Sequence, residues 1–280
     1  MTFNSSSNAI RQPVLFVSHG APTFALQPGV AGRQLSALGL VLTKPEAVLV
    51  ISPHWRSHGL RIAHTAQPRT IHDFGGFPEA LYHLKYPAPG APEWAERTAK
   101  LLQVAGYEVQ LDKDQGLDHG AWVPLRYLFP KADTPVFQLS MPYDLNCKSS
   151  LALGHSLSCL ANEGVLIIGS GSLTHNLHEF QMTESVHGQS CGFQPVSAYV
   201  NEFVEWVRNH VINGDHDQLV QTLESAPHGK RAHPSPEHFL PLLVAVGAAG
   251  KEASVTVLDG GVTHAVLSME SYAFGLPFER

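Results

Sequence analysis

Cysteine is nearly missing from this 280-residue chain. There are three thiols, Cys147, Cys159 and Cys191, and no CxxC spacing. An odd, scattered set excludes a disulfide framework and a thiolate zinc site, and it suits a reducing compartment, so a cytoplasmic location is expected. Long hydrophobic runs are missing too. Apolar stretches such as residues 242–249 fall far short of the roughly 20 residues that a membrane helix needs, and the opening MTFNSSSNAIRQ has no apolar leader core. A protein that is soluble, unexported and off the membrane is expected. Basic stripes are lacking as well: 18 Lys plus Arg stand against 24 Asp plus Glu, a net charge of -6, which argues against nucleic acid or an anionic membrane surface as partner. No internal repeat, low-complexity tract or linker divides the chain. Residues 1–280 therefore read as one domain, and a hydrophobic content of 44% is ample for a large core.

Histidine is what the chain has in excess. Its 17 imidazoles nearly equal its fixed positive charges, so their placement relative to strand ends matters. Residues 13–17, PVLFV, form a short continuous apolar run, the pattern of a central strand covered on both faces. The run stops at Ser18, delivering His19 and Gly20 at its carboxyl end, with Pro22 stiffening the turn. The same arrangement recurs at AVLVISPHW, where an apolar run from Ala47 ends in Ser52 and presents His54. In open α/β sheets, ligands bind at this edge.

Between and after these runs the periods alternate. Leucines at helical spacing over 30–42 predict a crossover helix, making a right-handed βαβ unit with the second strand. A strand is predicted over 60–65, and 67–92 reads as a structured loop whose aromatics, Phe74, Phe77, Tyr82 and Tyr86, are placed to wall a pocket for a planar ligand. Further helices are predicted over 92–104, 148–162, 193–212, a second stretch to about 225, and 239–249. Further strands are predicted over 107–111, 135–140, 164–169, 253–258 and 266–274. His119, between glycines ahead of Trp-Val-Pro-Leu, is expected in a loop. Trp94, Tyr199 and Trp206 read as core, and Arg61, Arg69, Lys230 and Arg231 as solvated surface. The alternation implies an α/β fold, a single domain with a central, largely parallel sheet flanked by helices on both faces.

Five histidines fall at apolar-run ends or in stiff Gly/Pro loops: His19, His54, His119, His175 and His233. A divalent ion of intermediate softness takes neutral imidazole held on rigid elements, so the set points to a metal site. For any single member, a hydrogen-bonded histidine at a strand end is an equal reading, and neither HExxH nor HxH is present.

Five blocks carry a family resemblance: HGAP at 19–22, SPHW at 52–55, DHGAWVPL at 118–125, GSGSLTHNL at 169–177 and HPSPEHFLPLLVAVGAA at 233–249. In this order they resemble the class III extradiol ring-cleaving dioxygenases, in the branch similar to the 4,5-DOPA dioxygenases. The resemblance implies His19, His54 and His233 as ligands of one divalent metal ion. It implies His175 as the active-site base and a further candidate ligand, and His119 as a pocket histidine that orients or protonates substrate. Class III members with a carboxylate as third ligand differ from this chain, where the matching position is His233; Glu237 is not assigned the role. Three neutral imidazoles suit zinc as well as iron. The implied activity is opening of a catechol, DOPA-like, by O2 outside its two hydroxyls to a muconic semialdehyde, with Fe(II) for catalysis or Zn(II) as the bound ion. Ser170 to Ser172 and the aromatic loop would shape the pocket. Two other readings of the same residues are a zinc hydrolase and a Memo-like binding module without enzymatic activity. A base and an acid flanking the ion favour catalysis.

Overall fold

The computed structural model describes residues 10–180 and 196–276. Cys191 and the first residues of the helix expected over 193–212 lie outside the described residues. Ten strands are used below: β1 Val14–Ser18, β2 Ala47–Ser57, β3 Leu60–Ala63, β4 Val109–Asp112, β5 Val136–Pro142, β6 Val165–Gly171, β7 Val255–Leu258, β8 Val262–Thr263, β9 Leu267–Ser268 and β10 Ser271–Phe274. The longer helices are α1 Gly29–Val41, α2 Pro92–Val104, α3 His119–Leu128, α4 Cys147–Leu157, α5 Ala198–Ile212 and α6 Leu240–Ala249.

One sheet of eight strands runs in the order β4-β3-β5-β2-β6-β1-β10-β7, with β8 and β9 forming a separate pair. Its centre, β5-β2-β6-β1, is all parallel, and β3 pairs parallel with β4. β10 lies antiparallel between β1 and β7, and β3 meets β5 antiparallel. The largely parallel expectation therefore holds for the middle of the sheet, where the apolar runs are continuous because both faces are covered. Along β1, Val14 and Phe16 enter one core and Leu15 and Val17 the other. The first core is closed by α2, α4, α5 and α6, the second by α1 and α3.

Sequence periodicity located these elements to within a few residues, with several differences. The stretch 148–162 breaks into α4 and a short helix Cys159–Asn162, and the region 266–274 divides into β9 and β10. His119 is not in a loop. It is the first residue of α3, because Asp118 caps that helix by accepting the N–H of Ala121.

Helices α4 and α6 pack at unusually close range. A Cβ on Gly154 would stand 2.1 Å from the carbonyl oxygen of Val244. Only a hydrogen fits there, so the two backbones touch. Gly154→Val should separate α4 from α6, with a loss on the order of 3 kcal/mol read as a fall in denaturation midpoint; an unchanged midpoint would contradict the contact.

Candidate metal centre

The carboxyl ends of the central strands form one rim. β1 and β6 end side by side, Ser18 opposite Gly171, and His19 follows directly, its N–H donating to the Gly171 carbonyl at 2.9 Å. His54 arrives differently from expectation. β2 does not stop before it but continues to Ser57, and its register on β5 shifts between Ile51 and Arg56. A bulge of this kind re-aims a side chain; here the irregular residues are Ser-Pro-His-Trp.

Two fixtures hold the bulge and α3 together. Asp118, fully buried, accepts the Ser52 hydroxyl at 2.8 Å, the Gln138 amide at 2.7 Å and the Ala121 N–H at 3.2 Å, which ties β2, β5 and the start of α3 to one carboxylate. Burial and the neighbouring Asp73 push its carboxyl up, against hydrogen bonds from Gln138 and Ser52. Asp73, from the aromatic loop, accepts the His119 N–H and Nδ1–H, each at 2.8 Å, and lies 3.3 Å from Nδ1 of His54. Burial alone would raise the Asp73 carboxyl, but the hydrogen bond and charge of His119 and the charge of His54 outweigh it and hold it below the usual range.

The third imidazole at the rim is His238. Its Nε2 is 3.4 Å from Nε2 of His54, which is itself 3.1 Å from Nε2 of His19, and these three histidines form one group able to hold a metal ion. His238 reaches the rim because its backbone carbonyl lies against Gly171, where a Cβ would stand 2.3 Å away, and accepts the Ser172 N–H at 3.0 Å.

The expectation that His233 supplies the third ligand is corrected by this geometry. His233 points into the core between Phe203 and Phe239. Its Nε2 donates to the Leu173 carbonyl at 2.9 Å, and its Nδ1 is buried with no partner. The segment Pro234-Ser235-Pro236 turns the chain between the two histidines, with the Phe239 N–H closing on the Pro236 carbonyl. The physical reason is the turn: it sends His238 to the rim and leaves His233 on the core side, bonded to the Leu173 carbonyl. His233 instead braces the segment that carries His175, whose N–H donates to Ala232.

His175 stacks face to face on His238, ring centroids 3.5 Å apart, and groups with Glu237 and His238 rather than with His19 and His54. His119 packs on His54 at 3.9 Å and meets the ring of Phe74 edge-on at 5.7 Å. Four of the five expected histidines thus gather at one place, and the fifth is replaced by His238. Reading the residues one by one missed His238, Asp73, Asp118 and the use of Glu237. The available signals were the second histidine of HPSPEH and the acid within HDFGG.

A divalent ion fits this donor set. Each converging ring has its Nδ1 at an oxygen: His19 at Ser170 (3.0 Å), His54 at Asp73 (3.3 Å), His238 at Glu237 (3.3 Å). A neutral imidazole that donates through Nδ1 leaves Nε2 a bare lone pair; in that form the three Nε2 atoms turn lone pairs on one another, an arrangement that a cation relieves. Two nitrogens each about 2.0–2.1 Å from one ion, at about 100–110° across it, stand about 3.1–3.4 Å apart, which is the spacing of the His19–His54 and His54–His238 pairs. Burial keeps the rings neutral. It lowers His54 to about 3, aided by the charge of His119 and opposed by Asp73, and lowers His175 to about 4 against Glu237. His19 and His238 lie well below the ordinary value for the same first reason, with mutual repulsion added.

The chain is similar to known proteins over most of its length. Residues 33–275 match the family described as the catalytic LigB subunit of aromatic ring-opening dioxygenase. A protein of Beta vulgaris called 4,5-DOPA dioxygenase extradiol is 39% identical over 92% of this chain and 95% of its own. Its namesake in Escherichia coli K12 is 38% identical over 96% of each. A crystal structure of an uncharacterized E. coli K12 protein superposes with a TM-score of 0.77 and 31% identity, covering 95% of this chain and 100% of that one. Among the described residues no helix is long and apolar enough to cross a membrane.

Two outcomes follow from the geometry. Metal analysis after dialysis should find His238→Ala depleted and His233→Ala still loaded but less stable, on the order of 2 kcal/mol, because the Leu173 carbonyl is left buried and unpaired; the reverse pattern would restore His233 as ligand. The second concerns acid. Rings held neutral in the fold take up protons on unfolding below about pH 6.5, so the unfolded state binds more protons and stability falls as pH drops, by up to about 1.4 kcal/mol per pH unit for each ring. Urea midpoints of the metal-free protein should decline steeply from pH 7 to pH 5; a flat profile would show that the rings are charged in the fold.

Proposed function

This chain belongs to the family of the catalytic LigB subunit of aromatic ring-opening dioxygenases, and from that premise we propose that it opens a DOPA-like catechol with O2 in extradiol fashion, giving a muconic semialdehyde-type product. His19, His54 and His238 would hold the ion. The whole of residues 1–280 acts as one catalytic domain, working in the cytoplasm. The observation that carries this reading is the convergence of three Nε2 atoms from distant segments with two further histidines beside them. The names and near-complete coverage of the relatives support the substrate class.

When bound, a divalent ion supplies Lewis acidity toward the two catechol hydroxyls and a path for electrons between ring and O2. Fe(II) is the ion this chemistry needs, and Zn(II) fits the same three imidazoles. His175 accepts a hydroxyl proton: its ring is neutral near pH 7 and lies against His238. His119 is held in one orientation by its two bonds to Asp73. Its Nδ1 is thereby committed, and Nε2 is the nitrogen left to orient the substrate or return a proton to it. Phe74, edge-on to His119, gives the catechol ring an apolar wall.

Metal-free protein reconstituted anaerobically with Fe(II) or Zn(II), then mixed with a catechol panel that includes DOPA, should consume oxygen and form a yellow product with iron alone. His175→Ala should keep its metal and lose about 100- to 10,000-fold in kcat. Hydrolysis without oxygen uptake would favour a zinc hydrolase, and inactivity on every catechol a binding module; either result would overturn the ring-opening proposal.

A further inference from the structure

The ring form of His19 traces back, through Ser170 and Gly120, to a proline. Helix α3 contains Pro124 in its interior. Proline has no N–H, so the carbonyl four residues back, that of Gly120, has no helical donor. A carbonyl without its donor in the core is costly, and it is met from outside the helix: the Ser170 hydroxyl donates to Gly120 O. A serine hydroxyl has one hydrogen. With that hydrogen committed to Gly120, Ser170 Oγ can only accept from Nδ1 of His19, 3.0 Å away. Nδ1 must then carry the ring proton, and Nε2 is the bare nitrogen that faces His54. All of these groups are buried: Ser170 and His19 are 0% and 1% exposed, so no solvent donor competes for the Gly120 carbonyl.

We infer that Pro124 and Ser170 are positioning residues for the metal centre: the proline frees the Gly120 carbonyl, the carbonyl takes the Ser170 hydrogen, and Ser170 thereby locks His19 with its proton on Nδ1. The role of His19 toward an ion rests on the function proposed above, but its ring form does not. The direction of the chain of bonds also explains a proline in a helix that starts at the rim. An ordinary residue at 124 would donate to Gly120 O, leaving the Ser170 hydrogen free to turn toward His19 and to move the ring proton onto Nε2, where it would block the lone pair.

The test is a long-range proton–nitrogen correlation spectrum of metal-free protein with nitrogen-15 histidine, at pH 7.5, with His19 assigned by its disappearance in His19→Gln. The wild-type ring should carry its proton on Nδ1. Ser170→Ala should lose that preference and bind Zn(II) about 10- to 100-fold more weakly by calorimetry, while Ser170→Thr, which keeps the hydroxyl, should restore both. Pro124→Ala should show the two ring forms in exchange. A wild-type proton on Nε2, or an Nδ1 proton undisturbed in Ser170→Ala, would overturn the proposal, and an unchanged ring in Pro124→Ala would remove the proline from it. If Ser170→Ala does not fold, the wild-type and Pro124→Ala spectra still decide. Because the ring form is read without metal or substrate, a chain with the Nδ1 proton and no oxygen uptake on any catechol would sink the functional reading alone.

Discussion

Three imidazole Nε2 atoms brought to one place are the constraint around which the rim of this protein is built. They stand 3.1 and 3.4 Å apart along the row from His19 through His54 to His238, and each ring has its other nitrogen at an oxygen behind it. The three anchors come from different places: Ser170 on β6, Asp73 in the aromatic loop, Glu237 in the proline-rich turn. No single segment could supply this geometry. The sheet brings the segments together, and the anchors set the rotation of each ring.

The parallel centre of the sheet explains why the rim exists at all. β5, β2, β6 and β1 point the same way, so their carboxyl ends and the loops after them meet on one side. The bulge in β2 adds what a regular strand could not, since it turns His54 toward His19 without ending the strand. Beneath it, the buried carboxylate of Asp118 joins Ser52, Gln138 and the cap of α3. Burying a carboxylate is costly unless its oxygens are fully bonded, and here the bonds it demands are those that lock the bulge to the helix carrying His119.

The same burial shapes the electrostatics. An imidazole largely withdrawn from water holds a proton poorly, so His54 and His175 are neutral well into acid, and a neutral ring is the form that can bind an ion or accept a proton. Asp73 is the counterweight. One carboxylate, kept ionised by its partners, serves two histidines at once, which couples the orientation of a candidate ligand to that of a candidate proton carrier. His233 shows the contrasting use of the residue: more deeply buried, committed to a backbone carbonyl and surrounded by Phe203 and Phe239.

Local sequence determined a good deal. Apolar runs bounded by Ser-His-Gly and Ser-Pro-His located β1 and the start of β2 and marked His19 and His54 as rim residues, because a strand buried on both faces must be continuously apolar and its first polar residue marks the rim. Helical spacing located α1 and α2, and the family likeness of five blocks pointed to aromatic ring opening. Tertiary structure alone decided which histidine of HPSPEH faces the rim, that β2 runs on past His54 through a bulge, and that Asp73 reaches His54 and His119. The reason is the range of the forces. Periodicity reports which face of an element is dry, a property of neighbours along the chain. The direction of a ring in a proline turn depends instead on Gly171, Ser172 and Leu173, some 60 residues away in sequence, and no local pattern carries that information.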